Sequence, residues 1–334
     1  MWRSGFLGAV FLLLYGCCMV TGYQIYARTP LHGAPIYYRV PGKTPRHRRT
    51  LENTISVVNF QVNIYLQSDR DYNQIQTAVN NTIVSLAARW PTCLGINVSR
   101  IPELKIDSFQ LHETNNCPTP SDASTTSLKS GQTHVLHFYP NCEADNYVGF
   151  AMVRGTDTWI LDEYYNSPEL VAHELGHNFG LLHTAKDDDE YGDQTSTMSG
   201  CCFTVCYNPP HLKTLNWDNN FTKVESTGVW SVPLSGRVFH MDEKYFFAGI
   251  GNKMHIYSRV TKTNIDTQLI DTLTSGYGFA SLNGYDVKYG PENNAYALFV
   301  APAGTYPQTR DQQLLYLVPL FLFLGIAPFL VLVA

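Results

Sequence analysis

The residues best suited to chemistry lie in one short stretch, 173–183: His173, Glu174, His177 and His183. Residues four apart share a face of a helix, so His173 and His177 can aim their imidazoles at one metal ion. Glu174 stands beside the first of them, on the flank from which it reaches a water held by that ion. Beyond His177 the helical face rotates away, so a third ligand requires a turn, and Gly180 permits the backbone conformation that makes one. His183 then completes three nitrogen ligands and leaves a position open. That is the donor set of a catalytic zinc site rather than a closed structural one, and Zn2+ is the cofactor expected. Zinc lowers the pKa of a bound water from about 16 towards 7. Glu174 would take the proton as the water attacks a carbonyl carbon and return it to the leaving group. Glu174 is therefore read as the catalytic base and not as a ligand, because a carboxylate bound directly to a dication is a poor base. A lone histidine is more often structural. The short pattern of two histidines and a glutamate also arises by chance, but the extended pattern fixes five positions.

These side chains need a helix, and the local sequence supplies one. Ser167 is a good N-cap, Pro168 suits the first helical position, Leu170, Val171, Leu175 and Phe179 form an apolar face, and Gly180 is a natural stop. Upstream, residues 55–66 alternate as a strand and residues 72–90 carry Ile75, Val79, Ile83 and Leu86 at helical spacing, with Pro91 as the stop. Further strands are expected at 104–109, 134–139, 148–153 and 158–161, with a polar loop at 116–131. His134 and His137 flank a strand core and read as structural. Asp187, Asp188, Asp189 and Glu190 read as a solvated acidic loop, with calcium binding the lesser reading. After Trp230, strand-like runs at 238–241, 245–250, 254–260 and 296–300 alternate with Gly, Asn and Asp turns. The fold class expected is α+β: a catalytic domain over 50–225 followed by a small β-rich domain over 226–303.

Just past the third histidine runs Tyr191-Gly192-Asp193-Gln194-Thr195-Ser196-Thr197-Met198-Ser199-Gly200. A methionine in a tight turn at this distance resembles the Met-turn of metzincin proteases, and would place Met198 beneath the metal ligands. That run, the extended histidine motif, and Cys206-Tyr207-Asn208-Pro209-Pro210-His211-Leu212 through Leu215-Asn216-Trp217 resemble the gametolysin family. Tyr147-Val148-Gly149-Phe150-Ala151 and Thr158-Trp159-Ile160 are similar to its strands before the active-site helix. The resemblance covers about residues 55–225. It implies a metzincin-type domain, a twisted mixed sheet with an active-site helix and Met-turn. It also implies an extracellular metalloendopeptidase acting on matrix or cell-wall glycoproteins. A zinc-binding surface adhesion protein without proteolytic activity is the alternative, and the presence of Glu174 argues against it.

The remaining features concern export. Residues 1–22 read as a signal peptide, with an uncleaved anchor as the alternative. Residues 23–49 are basic and Pro-rich, end in Arg46-His47-Arg48-Arg49, and read as a pro-segment or a basic linker. They contain no cysteine that could hold a metal latent. Residues 304–334 end in an uncharged apolar run, read as a GPI-attachment signal or a membrane anchor, so membrane association through this tail is expected. Of the eight cysteines, Cys17 and Cys18 would leave with the signal peptide. Cys93, Cys117, Cys142, Cys201, Cys202 and Cys206 remain as disulfide candidates, with 15 possible pairings. Asn80, Asn97 and Asn220 stand in glycosylation sequons. The 334 residues are 44% hydrophobic and 15% charged with net charge −5. This fits a folded globular chain and argues against nucleic acid as a partner, which would need a basic stripe.

Overall fold

Alternation of apolar and polar residues from Val57 onward makes a strand with one buried face, and Val58, Phe60, Val62 and Ile64 are fully buried. In the computed structural model, residues 55–66, 71–95, 98–113, 133–140, 148–200, 204–217, 221–224, 228–232, 238–262, 264–274, 278–282, 284–292 and 295–304 are described. All described residues fall in one compact unit. The proposed signal peptide and pro-segment, the tail beyond residue 304, Tyr147, Cys117, Cys142, Cys201, Cys202, Asn97 and Asn220 all lie outside the described residues.

The first sheet holds Val57–Leu66 (β1), Glu103–Glu113 (β2), Thr133–Tyr139 (β3), Gly149–Ala151 (β4) and Asp157–Leu161 (β5). Their order is β2-β1-β3-β5-β4. β1, β2, β3 and β5 run parallel, and β4 closes one edge antiparallel to β5. Parallel neighbours need crossovers, and the helix Tyr72–Arg89 (α1) supplies the one between β1 and β2. Asp71 caps α1 by accepting from the Asn73 amide at 2.9 Å. Ile75, Val79, Ile83 and Leu86 line the buried face of α1.

A second helix, Pro168–Asn178 (α2), packs against the same side of the sheet, and every residue from Leu170 to Asn178 is buried. Such complete burial is unusual for a helix bearing Glu and two His. The Ser167 hydroxyl accepts from the Leu170 amide at 3.2 Å at its start. At its end the Leu181 amide reaches the Gly176 carbonyl at 2.9 Å and the Gly180 amide reaches the His177 carbonyl at 2.8 Å. This is a Schellman stop with Gly180 at φ 91°.

The later chain is nearly all strand. His183–Lys186 (β6) is followed by a short helix, Pro209–Leu215 (α3), and by Phe221–Lys223 (β7), Gly228–Val232 (β8) and Val238–Met241 (β9). Then come Tyr245–Ile250 (β10), Lys253–Arg259 (β11), Ile265–Thr274 (β12), Gly278–Leu282 (β13), Tyr285–Glu292 (β14) and Ala295–Pro302 (β15). One sheet runs β6-β12-β11-β10-β9-β7, the other β13-β14-β15-β8. β10 shows why this region reads as an unbroken apolar run. Phe246 and Ala248 face the core shared with α2, Phe247 faces the core shared with the last sheet, and all three are fully buried. The strands expected over 226–303 are present, and their sheet takes in β6, which pairs in parallel with β12. Among the described residues the architecture is mixed α/β, with few helices and three sheets.

Candidate metal centre

Three chain segments build the site. α2 carries His173 and His177 one turn apart, with Glu174 between them. The Schellman turn redirects the backbone at Gly180, and β6 begins with His183. The three rings lie 4.9–5.4 Å apart, centroid to centroid. One ligand atom from each falls within 4.8 Å of the others. All three histidines and Glu174 are buried.

Each imidazole has one nitrogen already engaged. His173 Nδ1 lies 2.6 Å from the Thr197 carbonyl oxygen and His177 Nδ1 lies 3.0 Å from that of Leu181. His183 Nδ1 lies 2.5 Å from Glu190 Oε1. Carbonyl and carboxylate oxygens accept, so each Nδ1 donates its proton and each Nε2 keeps its lone pair. Burial holds all three histidines below the ordinary imidazole range, and for His177 and His183 the neighbouring histidines push in the same direction. Neutral rings with converging lone pairs are the protonation state that a cation requires.

Glu174 is the other notable group. Burial pushes its carboxyl up to about 8. Its Oε2 has no hydrogen-bond partner among the described residues. The other oxygen, Oε1, faces Gly149 of β4, where a Cβ would come within 2.9 Å of it. A buried, unpartnered carboxyl beside three converging nitrogens fits a site built to hold a cation and handle a proton.

Met198 is fully buried and lies directly under α2, so close that a Cβ on Gly176 would clash with its sulfur. The run 191–200 therefore supplies the floor, while Thr197 beside Met198 supplies the carbonyl that orients His173. The Met198 carbonyl accepts from the Thr184 amide at 3.0 Å and holds β6 against this floor.

A wall of aromatic rings backs the site. Trp90, Tyr207, Phe179 and Trp217 pack with centroids 5.1–6.5 Å apart. The Tyr207 hydroxyl donates to the Ala172 carbonyl at 2.7 Å. Cys93 and Cys206 are disulfide-bonded across this wall. Among the six candidate cysteines, this is the pair that the described residues resolve. Asn80 is exposed on α1.

Several contributors carry no sequence signal of their own. Asn178 accepts from Thr158 at 2.8 Å and donates to the Asp157 carbonyl at 3.1 Å, tying the end of α2 to β5. Glu190, read from composition as part of a solvated loop, instead turns inward to His183. His134 is buried and its pKa is lowered to about 4, mainly by burial. His137 stacks on Trp159 at 3.7 Å, and neither belongs to the cluster.

Among known protein families, the one described as Gametolysin peptidase M11 matches over residues 68–245, more than half of the chain and inclusive of the whole cluster. No curated protein matches significantly.

Proposed function

The chain belongs to the gametolysin peptidase family, and we propose that it is a zinc-dependent endopeptidase of metzincin type. His173, His177 and His183 are the proposed ligands, Glu174 the base and Met198 the Met-turn residue. The observation that carries this reading is the convergence of three buried imidazole nitrogens beside an unpartnered buried carboxyl. When bound there, zinc would polarise a water and the scissile carbonyl.

The protein's own groups do the rest. The buried Nδ1 bonds keep the three imidazoles in one tautomer and one orientation. A cation held by them would favour the ionised form of Glu174 and offset its burial. Glu174 then accepts a proton from the attacking water and passes it to the departing amine nitrogen, so the peptide leaves as acid and amine. β4 ends the first sheet among the described residues and borders Glu174, so its outer edge is where an extended peptide would pair. Recognition through main-chain bonds suits cleavage inside a polypeptide.

The same proposal covers place and substrate. A disulfide between Cys93 and Cys206 supports an oxidising compartment, and secretion with cleavage of matrix or wall glycoproteins follows the family. No helix among the described residues is long and apolar enough to cross a membrane. Tethering is assigned to residues 304–334. Release from cells by a phosphatidylinositol-specific phospholipase would identify a lipid anchor, and retention a membrane-spanning one.

The deciding experiment compares the secreted protein with Glu174→Ala on a quenched peptide library, with zinc content measured for both. The expected outcome is zinc in both and cleavage by the wild type alone. Zinc in both with cleavage by neither, even after trimming at Arg49, would replace this reading with that of an adhesion protein.

A further inference from the structure

We infer that Glu190 and Asn264 form a clamp that positions His183, so that a segment beyond the family match completes the metal centre. The inference rests on the reading of the triad as a metal site. His173 and His177 are oriented by neutral carbonyl oxygens, whereas His183 is oriented by a carboxylate, Glu190 Oε1, at 2.5 Å. Carboxylate acceptors bind an imidazole N–H more strongly than carbonyls do and raise the basicity of the opposite nitrogen.

Glu190 reaches inward because its own loop is pinned. Lys186 and Asp189 exchange backbone bonds at 3.1 Å, and the Asp189 side chain accepts from the Tyr191 amide at 2.9 Å. Asn264 holds the other side of the residue: its backbone carbonyl accepts from the His183 amide at 2.9 Å. The ring of the third histidine is thus held by Glu190 and its backbone by Asn264. Asn264 immediately precedes β12, the strand on which β6 pairs. The family match ends at residue 245, so this half of the clamp comes from chain outside it. Glu190 and Asn264 touch no reacting atom and act through His183.

Metal retention and folding separate this role from a structural one. The full-length protein, Glu190→Ala, Glu190→Gln, Asn264→Ala and the double alanine variant are stripped of metal. Each is titrated with zinc against a chelating dye and melted in the metal-free state. Glu190→Ala is expected to weaken zinc binding ~10–100-fold. Asn264→Ala keeps the backbone carbonyl that accepts from His183 and should bind zinc as the wild type does, and the double variant should match Glu190→Ala. Glu190→Gln keeps an acceptor oxygen and should recover most of the affinity, and metal-free melting should stay at the wild-type temperature for both Glu190 variants. Wild-type affinity in Glu190→Ala overturns the clamp. So does a loss of affinity in Glu190→Gln matched by a loss of metal-free stability. A wild type that binds no zinc removes the metal-site reading and the clamp together, whereas one that binds zinc without cutting removes only the peptidase reading.

Discussion

Glu174 has almost no free space, and Gly149 is the reason it has any. A Cβ at Gly149 would meet Glu174 Oε1 at 2.9 Å and the Trp159 backbone oxygen at 3.1 Å. The second neighbour is backbone and cannot yield, so in Gly149→Ala the carboxylate must move. The expected result is a fall in kcat on the order of 100-fold, the scale of an ångström-level misplacement, with zinc content intact; wild-type kcat would show that the carboxylate tolerates displacement. A pH experiment addresses the same group. Its folded-state pKa of about 8 exceeds the ordinary 4.5, so between those values the folded protein holds a proton that the unfolded chain releases. Stability from this group is complete below 4.5 and is lost as pH rises towards 8, by about 1.4 kcal/mol per unit of displaced pKa. The metal-free wild type should therefore lose melting temperature relative to metal-free Glu174→Gln as pH rises from 5 to 8, and parallel curves would refute it. The buried His173, His177 and His183 oppose this trend, their contribution being lost as pH falls below 6.5. They are common to both proteins and cancel. The convergence of His173, Glu174, His177 and His183 is legible in the sequence because three share a helical turn and the fourth follows Gly180. Glu190 is not legible: it ends an acidic run whose composition reads as solvated, and only the tertiary position of His183 makes it an internal partner.

Among the elements, α3 is joined to the site by a buried polar network. Asn208 caps α3 by accepting from the His211 amide at 3.1 Å. Its amide nitrogen lies 2.9 Å from Thr184 Oγ1, 2.9 Å from Thr267 Oγ1 and 3.3 Å from Asp193 Oδ2. Thr184 follows His183, so this network grips β6 from behind. Asn208→Ala removes the cap and leaves a buried carboxylate short of a donor, at an expected cost of about 3 kcal/mol. Chemical denaturation of the metal-free protein measures this, and a loss below about 1 kcal/mol would show that water or a neighbour fills the gap. The strand Val57–Leu66 and the helix Tyr72–Arg89 follow from apolar periodicity in the sequence, since each has one clearly buried face. β12 and β14 do not. Ile265–Thr274 mixes Asp, Gln and Thr with its apolar residues, and its pairing with β6 joins positions far apart in the chain, which local pattern does not encode.

For the molecule as a whole, the question is where the catalytic unit ends. The core around α2 includes Val238, Phe246, Ala248, Tyr257 and Leu269, and the strand bearing His183 pairs with β12. A fragment ending at residue 225 or 245 would lose the partner of that strand and expose buried apolar surface. It is expected not to accumulate as a soluble, zinc-binding species, and secretion yield with metal analysis checks this. A fragment 50–225 that unfolds cooperatively and retains zinc would instead establish a self-sufficient catalytic domain. The β6–β12 pairing also bears on time. A chain is made from its N-terminus, so His173, Glu174 and His177 exist long before Asn264 and β12 are synthesised. Until then β6 lacks its parallel partner, and the carbonyl that accepts from the His183 amide is missing. The three-histidine cluster is thereby expected to reach its final geometry only after β12 has been made.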